Sequence, residues 1–354
     1  MNETIFLTGG AGYVGTMLAE LFAKRDDVRE VICLDKEVVP EVLKNNPKIT
    51  FITANTNDKN WEESVHAKSP TIVIHTAWQI REMYGHQDTQ WKWNVDGSQH
   101  IFDMVFSIPS VKKFIHFSTV SSYGAEPENT IEHLFTEKEP FRKSDYLYAE
   151  EKRIVEANLE KTYATAKGKG AVPQVFIVRP AAITGVRGRY MRIRFGLQAA
   201  LSGQLKETFI HKLISAMVSF VPVTPKWCRQ FIHEDDVADI ITLLAFNKLE
   251  GVYEVFNICP PGPVVRGADM AKAVGKKTIS VHPQIIRIVF FFMWHLSQGK
   301  VPTSKGGWKS YSYPIAVDGT KLTKQFGYTY AYESKEAFVN NKIGRYAAFG
   351  PKEV

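Results

Sequence analysis

The chain begins with a short apolar, β-branched run, Thr4–Thr8 (TIFLT), that ends in glycines. Runs of the same character recur at Val31–Asp35, Ile49–Thr53, Thr71–Ala77, Phe114–Ser118 and Val175–Arg179. Between them, Tyr13–Lys24, Asn60–Ala67 and Thr89–Phe106 carry apolar residues at helical spacing. Near-continuous apolar strands separated by helices predict an α/β fold whose parallel sheet is covered on both faces. After Pro180 the alternation decays. Arg187–Trp227 is basic and apolar and is broken by Pro222 and Pro225. Val237–Asn247 reads as a helix and Tyr253–Cys259 as a strand returning to the sheet. From about Pro260 onward the chain reads as irregular. This predicts a core over 1–182 that regains 229–259, a smaller lobe from 183–228 and 260–345, and a tail at 346–354.

Composition adds little to that picture. Apolar residues make up 44% and charged residues 23% of 354, enough for a large core without staples. Cys33, Cys228 and Cys259 are far apart and form no C-x-x-C, so neither a disulfide framework nor a metal cluster is expected. The opening MNETIFLTGG lacks a basic and apolar leader, which points to a cytoplasmic protein. The net charge of +7 is dispersed, with small clusters at 187–189 and 192–194. No nucleic-acid motif accompanies it, so a solvated basic surface is expected and no nucleic-acid partner.

Candidate chemistry starts where the first strand ends. Gly9, Gly12 and Gly15 form G-x-x-G-x-x-G through Tyr13 and Val14, between a strand and a helix. Glycines there permit a tight turn and let backbone N–H groups approach a pyrophosphate at the helix N-terminus. Asp35 follows Gly15 by 20 positions, at the end of the second strand. Its carboxylate can accept from ribose hydroxyls and would repel a 2′-phosphate, favouring NAD over NADP. The alternative is an aspartate that caps its own turn. Asn57 and Asp58 after the third strand, and Thr76 and Ala77 after the fourth, are supporting positions for the same cofactor.

Tyr148 and Lys152 form Y-x-x-x-K on one helical face. A nearby ammonium is expected to lower the tyrosine pKa and to hold a nicotinamide ribose. The tyrosine then takes a proton from a hydroxyl as hydride leaves the same carbon. Ser118–Gly124 lies directly after the fifth strand, where ligands of open sheets sit, and supplies a hydroxyl to orient the substrate oxygen.

With these motifs the chain resembles the extended short-chain dehydrogenases/reductases, the NAD-dependent epimerase/dehydratase group. Thr8–Gly15 is similar to the family's T-G-x-x-G-x-x-G, Asn94 to its asparagine after the fourth strand, and Ser118–Gly124 to its S-[ST]-x-x-x-Y-G. Arg179-Pro180 and Phe231–Ala238 are similar to its later segments. The resemblance implies a Rossmann-type doubly wound sheet with a smaller C-terminal substrate-binding lobe. It implies Thr119, Tyr148 and Lys152 as catalytic residues and Asn94, Ser118 and Pro180 beside the cofactor. Ser121 and Arg229 would face the substrate, and a homodimer would form through helices such as 89–106 and 148–162.

Departures narrow the substrate. Sugar-nucleotide dehydratases carry Asp-Glu where this chain has Val120 and Ser121, so dehydration is not expected. No asparagine follows the sixth strand, which weakens a nucleotide-sugar. Arg229 stands where epimerases place a phosphate-binding arginine, which strengthens one. The apolar run Ile285–Leu296 is too short to cross a bilayer, which takes ~20 residues. It reads as a buried helix, an apolar substrate wall or an interfacial membrane anchor, and Phe209–Val223 adds a second apolar segment. The substrate is therefore a nucleotide-sugar or an apolar alcohol of the hydroxysteroid kind, with a non-catalytic redox sensor as the remaining alternative.

Overall fold

The computed structural model of the protein describes residues 2–187, 220–249, 252–273, 275–339 and 344–345. The basic clusters beyond Arg187, residues 209–219 of the second apolar segment and the tail at 346–354 lie outside the described residues.

Six strands alternate with helices in the first half. They are β1 (Glu3–Thr8), β2 (Val28–Asp35), β3 (Ile49–Thr53), β4 (Ile72–His75), β5 (Lys113–Phe117) and β6 (Gln174–Pro180). The later strands are β7 (Ala182–Thr184), β8 (Phe220–Val223), β9 (Cys228–Arg229), β10 (Phe231–His233) and β11 (Tyr253–Ile258). Among the described residues the main sheet has seven strands in the order β11-β6-β5-β4-β1-β2-β3, and every pairing in it is parallel. The order reverses beside β1, which opens a crevice at the carboxyl ends of β1 and β4.

Alternation along each strand feeds two cores. Ile5 and Leu7 pack with Leu18 and Phe22 of helix α1 (Tyr13–Ala23) on one side. Phe6 packs on the other with Trp61, Phe102 and Leu159. Each such side chain is fully buried and contributes about 1.5–3 kcal/mol. The second core is walled by α2 (Glu62–Lys68), by α3 (Gln87–Trp91) running through a π turn at Lys92–Asp96 into α4 (Gly97–Ser107), and by α5 (Leu147–Lys167). Helix α6 (Glu234–Phe246) closes the first. Its first turn carries Glu234, Asp235 and Asp236, which suit a helix N-terminus, and it starts three residues before the expected Val237.

The region after Pro260 is not irregular. It holds strands β12 (Val265–Arg266) and β13 (Lys277–Ser280). It also holds helices α7 (Gly267–Ala273), α8 (Pro283–Leu296), α9 (Gly307–Ser310), α10 (Thr320–Phe326) and α11 (Ser334–Val339). Most are too short to show a helical period in sequence. Among the described residues no helix is long and apolar enough to cross a membrane.

Candidate active site

The cofactor end of the crevice is built from backbone. Gly9 has φ +78°, and a Cβ there would meet the Ala77 amide nitrogen at 2.7 Å. A Cβ on Gly15 would lie 1.9 Å from the Gly9 carbonyl oxygen, so both positions require glycine. Gly12 precedes α1 with no side-chain cap. The first-turn amides of Tyr13, Val14 and Gly15 have no intrahelical acceptor and offer themselves to an anion.

Asp35 caps its own turn, as one of its two readings expects. Its Oδ2 accepts from the Ala11 amide and its Oδ1 from the Glu37 amide, each at 3.0 Å. A carboxylate has about four lone-pair sites, so acceptors remain for ribose hydroxyls. Lys36 pairs with Glu37 and lies over the Trp93 ring at 5.1 Å, which removes it as a free counter-charge to a 2′-phosphate. The exposed Asp58 accepts from the Asn55 amide at 2.9 Å, and the Asn57 amide donates to the Asn55 side chain at 3.3 Å. These two shape the turn after β3. Val14 packs against the core, and the Tyr13 hydroxyl donates to Glu234. Burial and Glu234 hold that phenol well above its ordinary pKa, so Tyr13 ties α1 to the start of α6 and only its backbone faces the crevice.

A buried hydrogen-bonded chain links the glycine turn to the reactive end. The Ala77 amide donates to Thr8 Oγ1 at 3.3 Å, and Thr8 Oγ1 meets His75 Nδ1 at 2.6 Å. His75 Nε2 meets Ser98 Oγ at 2.9 Å, and Ser98 donates to the Asn94 carbonyl. The chain is consistent only with a neutral His75 protonated on Nε2. Burial and the Lys152 charge push its pKa down to about 3. Thr76 Oγ1 donates to the Thr8 carbonyl at 2.8 Å, fastening β4 to β1. Asn94, on the π turn, accepts from the Gln79 amide at 2.7 Å and donates to Glu151 at 2.7 Å.

At the reactive end, Thr119 caps the turn Val120–Tyr123, its Oγ1 accepting from the Ser121 amide at 3.1 Å. Ser122 donates to the Ala149 carbonyl at 2.8 Å, which seats this turn on the first turn of α5. The Thr119 hydroxyl is thereby brought beside the Tyr148 phenol, whose pKa it pulls down. Lys152, one helical turn further, is buried; its Nζ donates to the Phe117 carbonyl and lies 3.6 Å from the Trp78 ring centroid. Burial pulls its pKa down to about 7, against the opposing pull of Glu156 and Glu151.

The expected lowering of Tyr148 is not what the structure gives. Its phenol lies above the ordinary value, because burial outweighs the opposing pull of the Thr119 hydroxyl. Lys152 spends its ammonium on a carbonyl and an aromatic face instead, so the pair shares a helix face without the expected electrostatic coupling.

Arg229 reaches the same end from β9. Burial lowers its pKa, and the opposing groups around it are Tyr146, Cys228 and Tyr311. Tyr146 stands 5.8 Å, ring to ring, from Tyr148. Burial, with Tyr148 adding and Arg229 opposing, pushes Tyr146 up to about 12. A small apolar cleft lined by Pro222, Val223, Trp227, Met270 and Tyr311 adjoins them. Tyr146, Tyr311, Trp78 and Glu151 were not legible as site residues, since no spacing marks them. Arg179, from the Arg-Pro pair, is instead bound to Glu156 and donates to the Tyr123 hydroxyl at 2.6 Å, a buried brace beneath the site. Pro180 ends β6 opposite Ile258 at the carboxyl edge of the sheet.

Several buried polar atoms around Lys152 have no hydrogen-bond partner: Trp78 Nε1, Ser118 Oγ, Glu151 Oε1 and both ring nitrogens of His116. Trp78 Nε1, Ser118 Oγ and Glu151 Oε1, just beyond β4 and β5 and on α5, fit a site finished by ligand or water, whereas the His116 ring lies inside the core against Phe102 and Phe114. An uncapped glycine turn, a carboxylate at the end of β2 and a Tyr–Lys pair on one crevice define an enzyme of the dinucleotide-dependent oxidoreductase class. The pattern of the NAD dependent epimerase/dehydratase family matches residues 5–259, and the chain belongs to that family.

Individual relatives are distant. The chain is 25% identical over 193 residues to the 3 beta-hydroxysteroid dehydrogenase/Delta 5-->4-isomerase of vaccinia virus (strain Ankara), covering 53% of this chain and 54% of the relative. It is 28% identical over 125 residues to a putative UDP-glucose 4-epimerase of Methanocaldococcus jannaschii, covering 35% and 40%. It thus spans about half the length, or less, of these curated relatives. The solved UDP-glucose 4-epimerase of Thermus thermophilus, in complex with NAD, shares the fold with a TM-score of 0.64 at 20% identity, covering 95% of this chain and 96% of that one.

Proposed function

We propose that the protein oxidises or reduces a secondary alcohol or ketone with NAD, through Tyr148, Thr119 and Lys152. The observation that carries this reading is the Thr119 hydroxyl set beside the Tyr148 phenol at the carboxyl edge of β5, one turn from a buried Lys152. The first-turn amides of α1 would hold the pyrophosphate and Asp35 the adenosine ribose. Bound there, NAD supplies the hydride acceptor or, reduced, the donor. Thr119 would orient the substrate oxygen, and Lys152, now donating to the Phe117 carbonyl, would hold a ribose hydroxyl.

Tyr148 carries the proton. With its pKa raised, the phenol stands ready to donate to a carbonyl oxygen, which favours reduction near neutral pH. Oxidation requires the phenolate and should quicken as pH rises. The substrate lobe from 183–228 and 260–345 belongs to the same proposal. Tyr146, Tyr311, Trp227 and the apolar cleft beside Arg229 favour an apolar alcohol presenting one polar oxygen, as a second reading beside a nucleotide-sugar.

Purified protein supplied with NAD or its reduced form, and with steroid alcohols, their ketones and UDP-sugars, should turn over at least one of them. Tyr148→Phe should cut that turnover by about 100- to 10,000-fold while NAD still binds. Equal turnover in the variant would refute the assignment.

A further inference from the structure

We propose that helix α8 docks the protein on the surface of an anionic phospholipid bilayer. The helix is apolar on two sides. Ile286, Phe290 and Trp294 form a buried inner face. Ile285, Ile288, Phe291, Phe292 and Leu296 point outward and are 53%, 56%, 59%, 56% and 81% exposed. At 100° per residue these five fall on one contiguous arc, interrupted only by Gln284 and His295.

The helix cannot roll to hide that arc. Phe290 packs on Tyr311 at 5.5 Å and Trp294 on Tyr84 at 5.4 Å, ring to ring. The Tyr84 hydroxyl meets His295 Nδ1 at 3.2 Å, and His282 caps the first turn by accepting from the Gln284 amide at 3.3 Å. Ile279 on β13, 51% exposed, extends the apolar surface towards the start of the helix.

Charge identifies the occupant. Between Asp269 and Asp318 the sequence contains no carboxylate side chain, yet it carries Lys272, Lys276, Lys277, Arg287, Lys300, Lys305 and Lys309. Lys309 is taken by Glu126, and Lys305 lies 3.7 Å from Asp145. Lys272, Lys277, Arg287 and Lys300 are exposed, Arg287 on the helix and Lys277 and Lys300 within six residues of its ends. An apolar arc rimmed by cations, on a helix of 14 residues, suits burial in the headgroup boundary and is too short to span. Cations near the arc would then meet lipid phosphates and serine carboxylates.

The test floats the full-length protein with phosphatidylcholine vesicles, with and without phosphatidylserine. The wild type should float with the phosphatidylserine vesicles, and flotation should fall as salt is raised. Ile288→Asp with Phe292→Asp should reduce binding by about tenfold or more while the thermal melt stays in place, since both positions already face water. Lys277→Gln with Lys300→Gln should weaken binding to phosphatidylserine vesicles alone. Wild-type protein left in the soluble fraction with both vesicles would overturn the proposal. So would aspartate variants that float like wild type. A vesicle-blind dimer that the aspartates convert to monomer would overturn it too, and would assign the arc to a second copy of this chain. None of these readouts depends on turnover, so lipid binding and the catalytic assignment fail separately.

Discussion

The two ends of the crevice are made differently. At the glycine turn the polar side chains pair within the chain: Asp35 takes two amides, Thr8 and Thr76 interlock, and His75 is fixed in a neutral chain. At the Tyr148 end burial works against charge. Lys152 falls to about 7, Tyr146 rises to about 12 and Tyr148 rises as well, while Ser118 Oγ, Trp78 Nε1 and Glu151 Oε1 lack partners. At the first end the fold satisfies the side chains and leaves only the first-turn amides of α1 open. The second keeps unmet polar groups together, which is where ligand binding returns the most free energy.

The sharpest way to break the first half of this contrast is Gly15→Ala. Its methyl would overlap the Gly9 carbonyl, so the turn must open. Stability should fall by about 1–3 kcal/mol and NAD binding should vanish, read by denaturation and calorimetry. Retained NAD affinity would mean the turn is not the cofactor cradle. Asp35→Ala should act more mildly. Losing charge-assisted hydrogen bonds should weaken NAD by roughly ten- to a hundredfold and reduce the preference over NADP, seen in paired titrations.

A smaller effect sharpens the other half. Lys152 has a folded pKa of about 7 against ~10.4 unfolded. Between those values the unfolded chain binds more protons, so its contribution to stability grows as pH rises through that window and is least below it. Urea unfolding at about pH 7 and about pH 9 should show the wild type gaining stability relative to Lys152→Met. A constant difference would place the ammonium in a polar setting.

The sheet was legible because each strand is a continuous apolar run closed by turn residues. Ile49–Thr53 matches its expected bounds, and the other strands of the main sheet differ only at their ends. The placement of Gly9, Asp35, Thr119, Tyr148 and Lys152 in the fold was legible for a similar reason: each lies at a strand end or shares one helix face. The direction of the Tyr148 shift was not, because it depends on where the long Lys152 side chain goes. Phe117 offers a carbonyl and Trp78 a ring, and neither lies near Lys152 in sequence. The run Ile285–Leu296 concealed its orientation too. Nearly every position is apolar, so only packing against Tyr84 and Tyr311 decides which face is buried.

The contrast rests most directly on the state of Lys152 in the chain without ligand. Carbon-13 labelling of lysine side chains, followed by NMR across pH, reports each ammonium separately. One resonance, absent from Lys152→Met, should titrate at about 7, well apart from the remaining lysines. If that resonance instead moves only near ~10.4, the ammonium is not desolvated and the reactive end holds no suppressed charge.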